Sequence, residues 1–104
     1  MYIYNITFHI DDTTVNEGLM FLKQEYIPKA TQNGMLFNPR ICFIQTDREE
    51  NGKSYSVQFY VKNKTILNDW QETVGHVLHR ELVKRFGEKI IGFATLMEEL
   101  DLGI

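Results

Sequence analysis

The chain holds one cysteine, Cys42. An intramolecular disulfide is therefore excluded, and a lone thiol fits a reducing compartment. Long hydrophobic runs are missing as well. None approaches the roughly 18 residues that a membrane helix needs, so no membrane partner is expected. The opening stretch, MYIYNITFHIDD, has no basic leader and alternates like a strand, so a signal peptide is not expected either. These absences point to the cytoplasm. There is also little excess charge of one sign: 11 basic side chains are interspersed with 14 acidic ones, for a net charge of −3. Long-range attraction to nucleic acid or anionic lipid is correspondingly weak, and no nucleic-acid partner is expected. A Gly-rich phosphate loop, a nucleophile elbow and zinc-ligand spacing are all absent, so no cofactor and no metal are expected.

What is present is sufficient for one domain spanning residues 1–104, of a length that builds a core without staples. Residues 2–10, YIYNITFHI, alternate: Tyr2, Tyr4, Ile6, Phe8 and Ile10 share one face, Ile3, Asn5, Thr7 and His9 the other. A helix follows. Thr14 and Glu17 have capping-box spacing, and Val15, Leu19, Leu22, Tyr26 and Ala30 form an apolar stripe with Met20 and Ile27 on its flank. Phe21 falls opposite that stripe and is expected to be exposed. Pro28 removes a backbone donor and clashes with the preceding turn, so it should divide this helix and stand in the first turn of its shorter part. Gly34 then supplies a left-handed stop.

RICFIQTD (40–47) and SYSVQFYV (54–61) read as strands separated by REENGK, with Asn51-Gly52 as a hairpin signal. In the latter strand Tyr55, Val57, Phe59 and Val61 alternate with Ser54, Ser56, Gln58 and Tyr60. A second helix runs from Asn63 or Thr65 to Phe86 and is closed by Gly87. Its stripe of Ile66, Leu67, Trp70, Val74 and Val77 gives way to one of Leu78, Leu82 and Phe86. A single straight helix would put Glu81 in the first stripe, so a bend is expected near Gly75. KIIGFATLMEEL (89–100) is a last strand, apolar on both faces until Glu98. The order βαββαβ with right-handed crossovers specifies an α+β, ferredoxin-like fold: a four-stranded antiparallel sheet with two helices on one face.

Two helices cover only one face of such a sheet. The other would show Asn5, Thr7, His9, Ser56, Gln58 and Tyr60, beside apolar residues of the second and fourth strands. RNA-recognition modules share this strand order, but SYSVQFYV lacks the glycine and basic residue that they carry in the third strand. Simple solvent exposure suits the amides and hydroxyls, whereas Ile44, Tyr60 and the doubly apolar last strand suit a face that closes against a second subunit. A homodimer fits the mixture best.

YNITFHID, FLKQEYIPKA, YSVQF and RFGEKIIGFATLME, in order along the whole chain, resemble a bacterial domain-of-unknown-function family of small ferredoxin-like dimeric α+β barrels. The resemblance implies a homodimer with its two sheets face to face. Barrels of this kind also occur in antibiotic-biosynthesis monooxygenases, muconolactone isomerases and haem-degrading enzymes, a likeness of fold that transfers no activity. The family pattern has His-Ile-Pro where this chain has Tyr26-Ile27-Pro28, and an arginine in the last strand where it has Ala94. Asn5 and Gln58 match the pattern.

The ligand-binding candidates are therefore Asn5, His9, Tyr26, Gln58 and Tyr60. Amides supply donors and acceptors to a small ligand, or bond across the sheet or the dimer interface. Tyr26 is a core residue or a hydrogen-bond donor to a ligand, and a general acid only if its pKa fell well below about 10. His9 is a surface or interface histidine, or a base near neutral pH, with no carboxylate fixed beside it. His76 and His79 have ligand spacing on a helix but no evident third ligand. The expectation is a non-catalytic ligand-binding or interaction module. The alternative is a cofactor-independent oxygenase or isomerase acting on a small hydrophobic compound. A dedicated acid–base pair in the cavity, with Tyr26 or His9 facing in, would favour the enzyme, and a filled cavity with Tyr26 packed in the core would favour the interaction module.

Overall fold

The computed structural model describes residues 1–46 and 51–103. Strand β1 (Tyr2–Asp11) leads into helix α1 (Val15–Phe21), a π-helical turn (Leu22–Tyr26) and α2 (Ile27–Thr31). Strands β2 (Phe37–Phe43) and β3 (Gly52–Val61) follow, then α3 (Lys64–Trp70), a second π turn (Gln71–Gly75) and α4 (His76–Phe86). A short 3-10 turn (Gly87–Lys89) delivers the chain to β4 (Ile90–Glu98). The strands form one antiparallel sheet in the order β2-β3-β1-β4, and both interrupted helices pack on one side of it. This is the expected ferredoxin-like arrangement.

Both helix interruptions fall where the residues demand them. Pro28 occupies the first turn of α2 and has no amide hydrogen to donate, so the backbone before it relaxes into a turn in which the Ile27 N–H reaches the Leu22 carbonyl. In the second helix the His76 N–H reaches back to the Gln71 carbonyl, and the Thr73 hydroxyl donates to the Asp69 carbonyl at 2.6 Å. Each π turn inserts one extra residue, which rotates everything after it by about 100°. That rotation turns Glu81 away from the core to the surface, where it pairs with Lys29 at 3.1 Å. It also leaves Val77, expected on the apolar stripe, exposed.

Several local expectations need correction. Thr14 stands at the N-cap of α1 but its side chain caps nothing. The turn into the helix is made one step earlier, by the Asp11 carboxylate accepting from the amide and hydroxyl of Thr13. Phe21 is buried rather than exposed, because the end of α4 lies over it: its ring meets Phe86 edge-on at 5.4 Å and Arg85 covers its face at 4.9 Å. The second strand begins three residues earlier than expected. Its ladder is interrupted between Phe37 and Arg40, where Asn38 adopts a φ of 49° ahead of Pro39, a bulge that lets an edge strand accommodate proline. Its expected end at Asp47, and Arg48, Glu49 and Glu50 of the hairpin connection, lie outside the described residues.

Alternation in the strands determines the two faces. Tyr4, Ile6, Phe8 and Ile10 of β1 and Tyr55, Val57, Phe59 and Val61 of β3 turn to the helices and are buried there with Leu22, Tyr26, Ala30, Leu36, Leu67, Trp70, Leu78 and Leu82. Burying each large apolar side chain contributes about 1.5–3 kcal/mol, so this layer carries most of the stability. Asn5, Thr7 and His9 stand on the opposite, uncovered face beside Ser54, Ser56 and Gln58, the residues that they oppose in the β1–β3 ladder.

Candidate functional site

The helix-side layer is filled over β3 and hollow over β4. In the β1–β4 ladder Phe8 opposes Gly92 and Ile6 opposes Ala94, so two large inward residues face two of the smallest. A β-carbon on Gly92 would come within 2.9 Å of the Phe8 ring. Gly92 thus makes room for the Phe8 ring, and with Ala94 it forms one wall of a cavity of about 570 Å³, which also meets Tyr4, Ile6, Phe8, Tyr26, Trp70, Gly75, Leu82 and Ile90. That size suits a small organic molecule. From Tyr4 to Phe8 the floor spans four strand steps, roughly 13 Å.

The two π turns shape the cavity's far wall. The first ends on Tyr26, whose ring packs edge-on against Phe8 at 5.3 Å. The second ends on Gly75, where a β-carbon would lie only 2.7 Å from the Trp70 ring, so glycine is what allows the turn to rest on the indole. Trp70 is pinned at both ends: its N–H donates to the Ala30 carbonyl at 2.9 Å, and its ring meets Tyr4 edge-on at 5.7 Å. π turns interrupting α-helices recur at functional sites because they re-aim side chains inward.

The polar groups are few and segregated. Gln71, His76, His79 and Glu88 line the exposed mouth. Inside are two phenols. The Tyr4 oxygen is approached by Gln71 Nε2 at 3.5 Å, which leaves its own O–H free to donate. Tyr26 is only 4 % exposed, and its hydroxyl has no hydrogen-bond partner among the described residues. No polar side-chain atom described is both sealed and unpartnered, so that hydroxyl opens on the cavity. Burial, reinforced by nearby Tyr4, pushes the Tyr26 pKa far above its usual value. It is a neutral phenol, a donor of one hydrogen bond, throughout the ordinary pH range. No lysine or arginine is among the described residues that line the cavity.

The structure thus divides the five candidates read from the sequence. Tyr26 faces the cavity; Asn5, His9, Gln58 and Tyr60 stand on the other face of the sheet. There Asn5 accepts from the Ser56 hydroxyl at 2.5 Å and donates to Thr7 at 3.1 Å. His9 Nδ1 lies 2.9 Å from the Ser54 hydroxyl. Tyr60 packs against Phe37 and reaches Glu99 at 3.4 Å, and Gln58 borders a shallow depression with Arg40. His9 is therefore not available to the cavity. Cys42 opposes Ser56, on the uncovered face with two strands between it and β4, and no cluster of three metal-ligating side chains occurs among the described residues.

Tyr4, Trp70, Gly75, Gly92 and Ala94 were not singled out by sequence reasoning as site residues. A signal existed for part of this set. In IIGFATLM the inward positions of the alternation are Ile90, Gly92 and Ala94, and two small residues on the buried face of a strand leave a void unless the opposite layer fills it.

Comparison with known proteins bears on the fold and the family. A family model, Domain of unknown function (DUF4286), matches residues 1–100. No curated protein matches the chain. Among solved structures, it is similar to an ethyl tert-butyl ether d family protein from Bacillus halodurans (14 % identity, 96 % of this chain and 100 % of the other, TM-score 0.70). It is similar to an antibiotic biosynthesis monooxygenase (14 % identity, 97 % and 100 %, TM-score 0.68). A dimeric ferredoxin-like protein from an uncultured marine organism also superposes (14 % identity, 98 % and 99 %, TM-score 0.61). At such identities the likeness is one of fold.

Proposed function

The chain belongs to the DUF4286 family of domains of unknown function, and we propose that it is a homodimer in which each subunit binds a small hydrophobic ligand in its helix-side cavity. The observation that carries this reading is the Tyr26 hydroxyl, borne on a buried side chain, unpartnered among the described residues and open to a cavity of about 570 Å³ whose inner walls are largely apolar. Buried polar groups are ordinarily satisfied, and an unsatisfied one facing space awaits a partner.

The second subunit occupies the uncovered sheet face. In β4, Ile91, Phe93 and Met97 point there, with Phe93 64 % exposed and Ile91 54 %. Ile44 is exposed beyond the end of β2 and continues its ladder through its amide, bonded to the Ser54 carbonyl. Between these apolar edges lies the stripe of Asn5, Thr7, Ser56, His9 and Ser54, already bonded within the sheet. A face with apolar borders and internally satisfied polar groups can be covered at little desolvation cost. The dimeric neighbour of the same fold supports the same choice. The polar stripe carries no basic patch, which speaks against nucleic acid, and Cys42, exposed and without a second cysteine, suits the reducing cytoplasm.

A second reading, a cofactor-independent oxygenase or isomerase, is favoured by the described activity of one neighbour and by the inward-facing Tyr26. Against it, the candidate acid is a phenol whose pKa is pushed up rather than down, and His9 faces away. Binding without chemistry is the simpler account.

Native mass spectrometry of the purified protein across dilution tests the proposal. A dimer that persists and carries an extra bound mass is expected. A monomer at micromolar concentration would remove the second subunit from the account.

A further inference from the structure

We infer that the ligand of this cavity is an uncharged planar aromatic compound, held by a carbonyl-type oxygen at its buried end that accepts from the hydroxyls of Tyr26 and Tyr4. The inference rests on the ligand-binding reading above and goes further by naming the chemical class. Three features of the lining support it.

The walls are rings and branched aliphatics. Tyr4, Phe8, Tyr26 and Trp70 supply four aromatic rings around Ile6, Leu82 and Ile90, a surface that rewards a flat ring system by stacking and edge contacts. The inward polar groups are both O–H donors. Tyr26 has no partner among the described residues, and Tyr4 accepts from Gln71 while retaining its own hydrogen. Each phenol keeps its hydrogen, the Tyr4 oxygen is already engaged by Gln71, and no carboxylate points inward, so what the inner walls chiefly offer is O–H donation to a ligand atom that accepts.

The cavity also lacks the charge that an anion needs. None of its described lining residues is lysine or arginine, and the one carboxylate, Glu88, stands at the exposed mouth with His76 and His79. An anion transferred there would lose its hydration without a cation to compensate. Ala94 is decisive for this exclusion. It occupies an inward position on β4 opposite Ile6, where a longer basic side chain would reach the cavity. Ala94 is thus a specificity-determining residue: by its smallness it keeps the site both open and uncharged.

The single tryptophan gives one indole N–H resonance from the cavity wall, so its shift in proton–nitrogen spectra reports binding of defined probes. Three suffice: 2-acetonaphthone, a neutral acceptor; 2-ethylnaphthalene, the same shape without an acceptor; and 2-naphthoate, an anion. The ketone is expected to bind about tenfold tighter than the hydrocarbon and at least about tenfold tighter than the carboxylate. Tyr26→Phe should reduce the ketone's advantage over the hydrocarbon to about twofold. Ala94→Arg should raise the affinity for naphthoate about tenfold or more. Ratios between probes within one variant are insensitive to a change in its stability, and the wild-type comparison needs no variant.

Naphthoate binding to the wild-type protein as tightly as the ketone would overturn the neutral class. An unchanged ketone-to-hydrocarbon ratio in Tyr26→Phe would overturn the role of its hydroxyl. In either case hydrocarbon binding leaves the cavity reading standing. If none of the three probes moves the indole resonance, the ligand-binding reading itself fails.

Discussion

The two faces of the sheet carry similar polar chemistry in opposite states. On the uncovered face Asn5, Thr7 and Ser56 are joined in one chain of hydrogen bonds, and His9 is joined to Ser54. On the helix-covered face Tyr26 is a buried residue, where His9 and Thr7 are half-buried, and its hydroxyl has no partner among the described residues. Sequence alone offers Asn5, His9 and Tyr26 alike as candidates for a site. Their difference teaches that hydrogen-bond satisfaction separates them better than residue type or burial: a bonded group supports the sheet, and an unbonded one in a cavity is left for a ligand.

The comparison breaks most visibly in the cavity wall. Trp70→Ala removes a fully buried ring and its hydrogen bond to Ala30, with an expected loss of about 3–5 kcal/mol in urea denaturation. On the uncovered face, Phe93→Glu should leave the fold of each subunit intact but weaken the proposed dimer by about 2–4 kcal/mol, seen as dissociation in sedimentation at micromolar concentration. Sharper still is a matched pair. Asn5→Ala strands the Ser56 hydroxyl and should cost about 1–2 kcal/mol. Tyr26→Phe deletes a hydroxyl from a buried residue yet breaks no bond seen among the described residues, and should change stability by less than about 0.5 kcal/mol.

The smallest effect concerns pH. Folding raises the Tyr26 pKa, so its contribution to stability is fully present below the unfolded value of 10.0 and is lost progressively at higher pH. Tyr26→Phe should therefore resist alkaline unfolding better than the parent above that value, measured by circular dichroism. Asp11 has the opposite sign. Hydrogen bonds from Thr13 lower its pKa below 3.8, so its contribution is present above that value and fades as pH falls below it. Thr13→Ala should show a slightly smaller loss on acidification.

Much of the fold was legible because period and punctuation agree. The alternation of YIYNITFHI and SYSVQFYV fixes which residues face the helices, and Pro28 and Gly75 mark where each helix must be interrupted. The kind of interruption was not legible. A π turn differs from a kink by one inserted residue, and its effect, aiming Tyr26 and resting Gly75 on Trp70, depends on the opposite layer. The failed cap at Thr14 has a similar origin, since Asp11 and Thr13 compete for the same turn and only geometry shows which wins. Tyr26 was legible as a residue of the apolar stripe, and the cavity beside it was not. Asn5 and Gln58 stand next to it in chemical type but across the sheet from it in space. The cavity was half legible: Gly92 and Ala94 are visible as small inward residues, but whether the helices fill the space depends on packing between residues far apart in the chain.

The most direct measurement uses tyrosines labelled with carbon-13 at Cζ, titrated with 2-acetonaphthone and observed by NMR. The five tyrosines sample both faces of the sheet, and Tyr26→Phe assigns the decisive resonance. The account predicts that Tyr4 and Tyr26 shift together while Tyr60 stays fixed. A shift confined to Tyr60, with Tyr26 unmoved, would place the ligand on the uncovered face and contradict it.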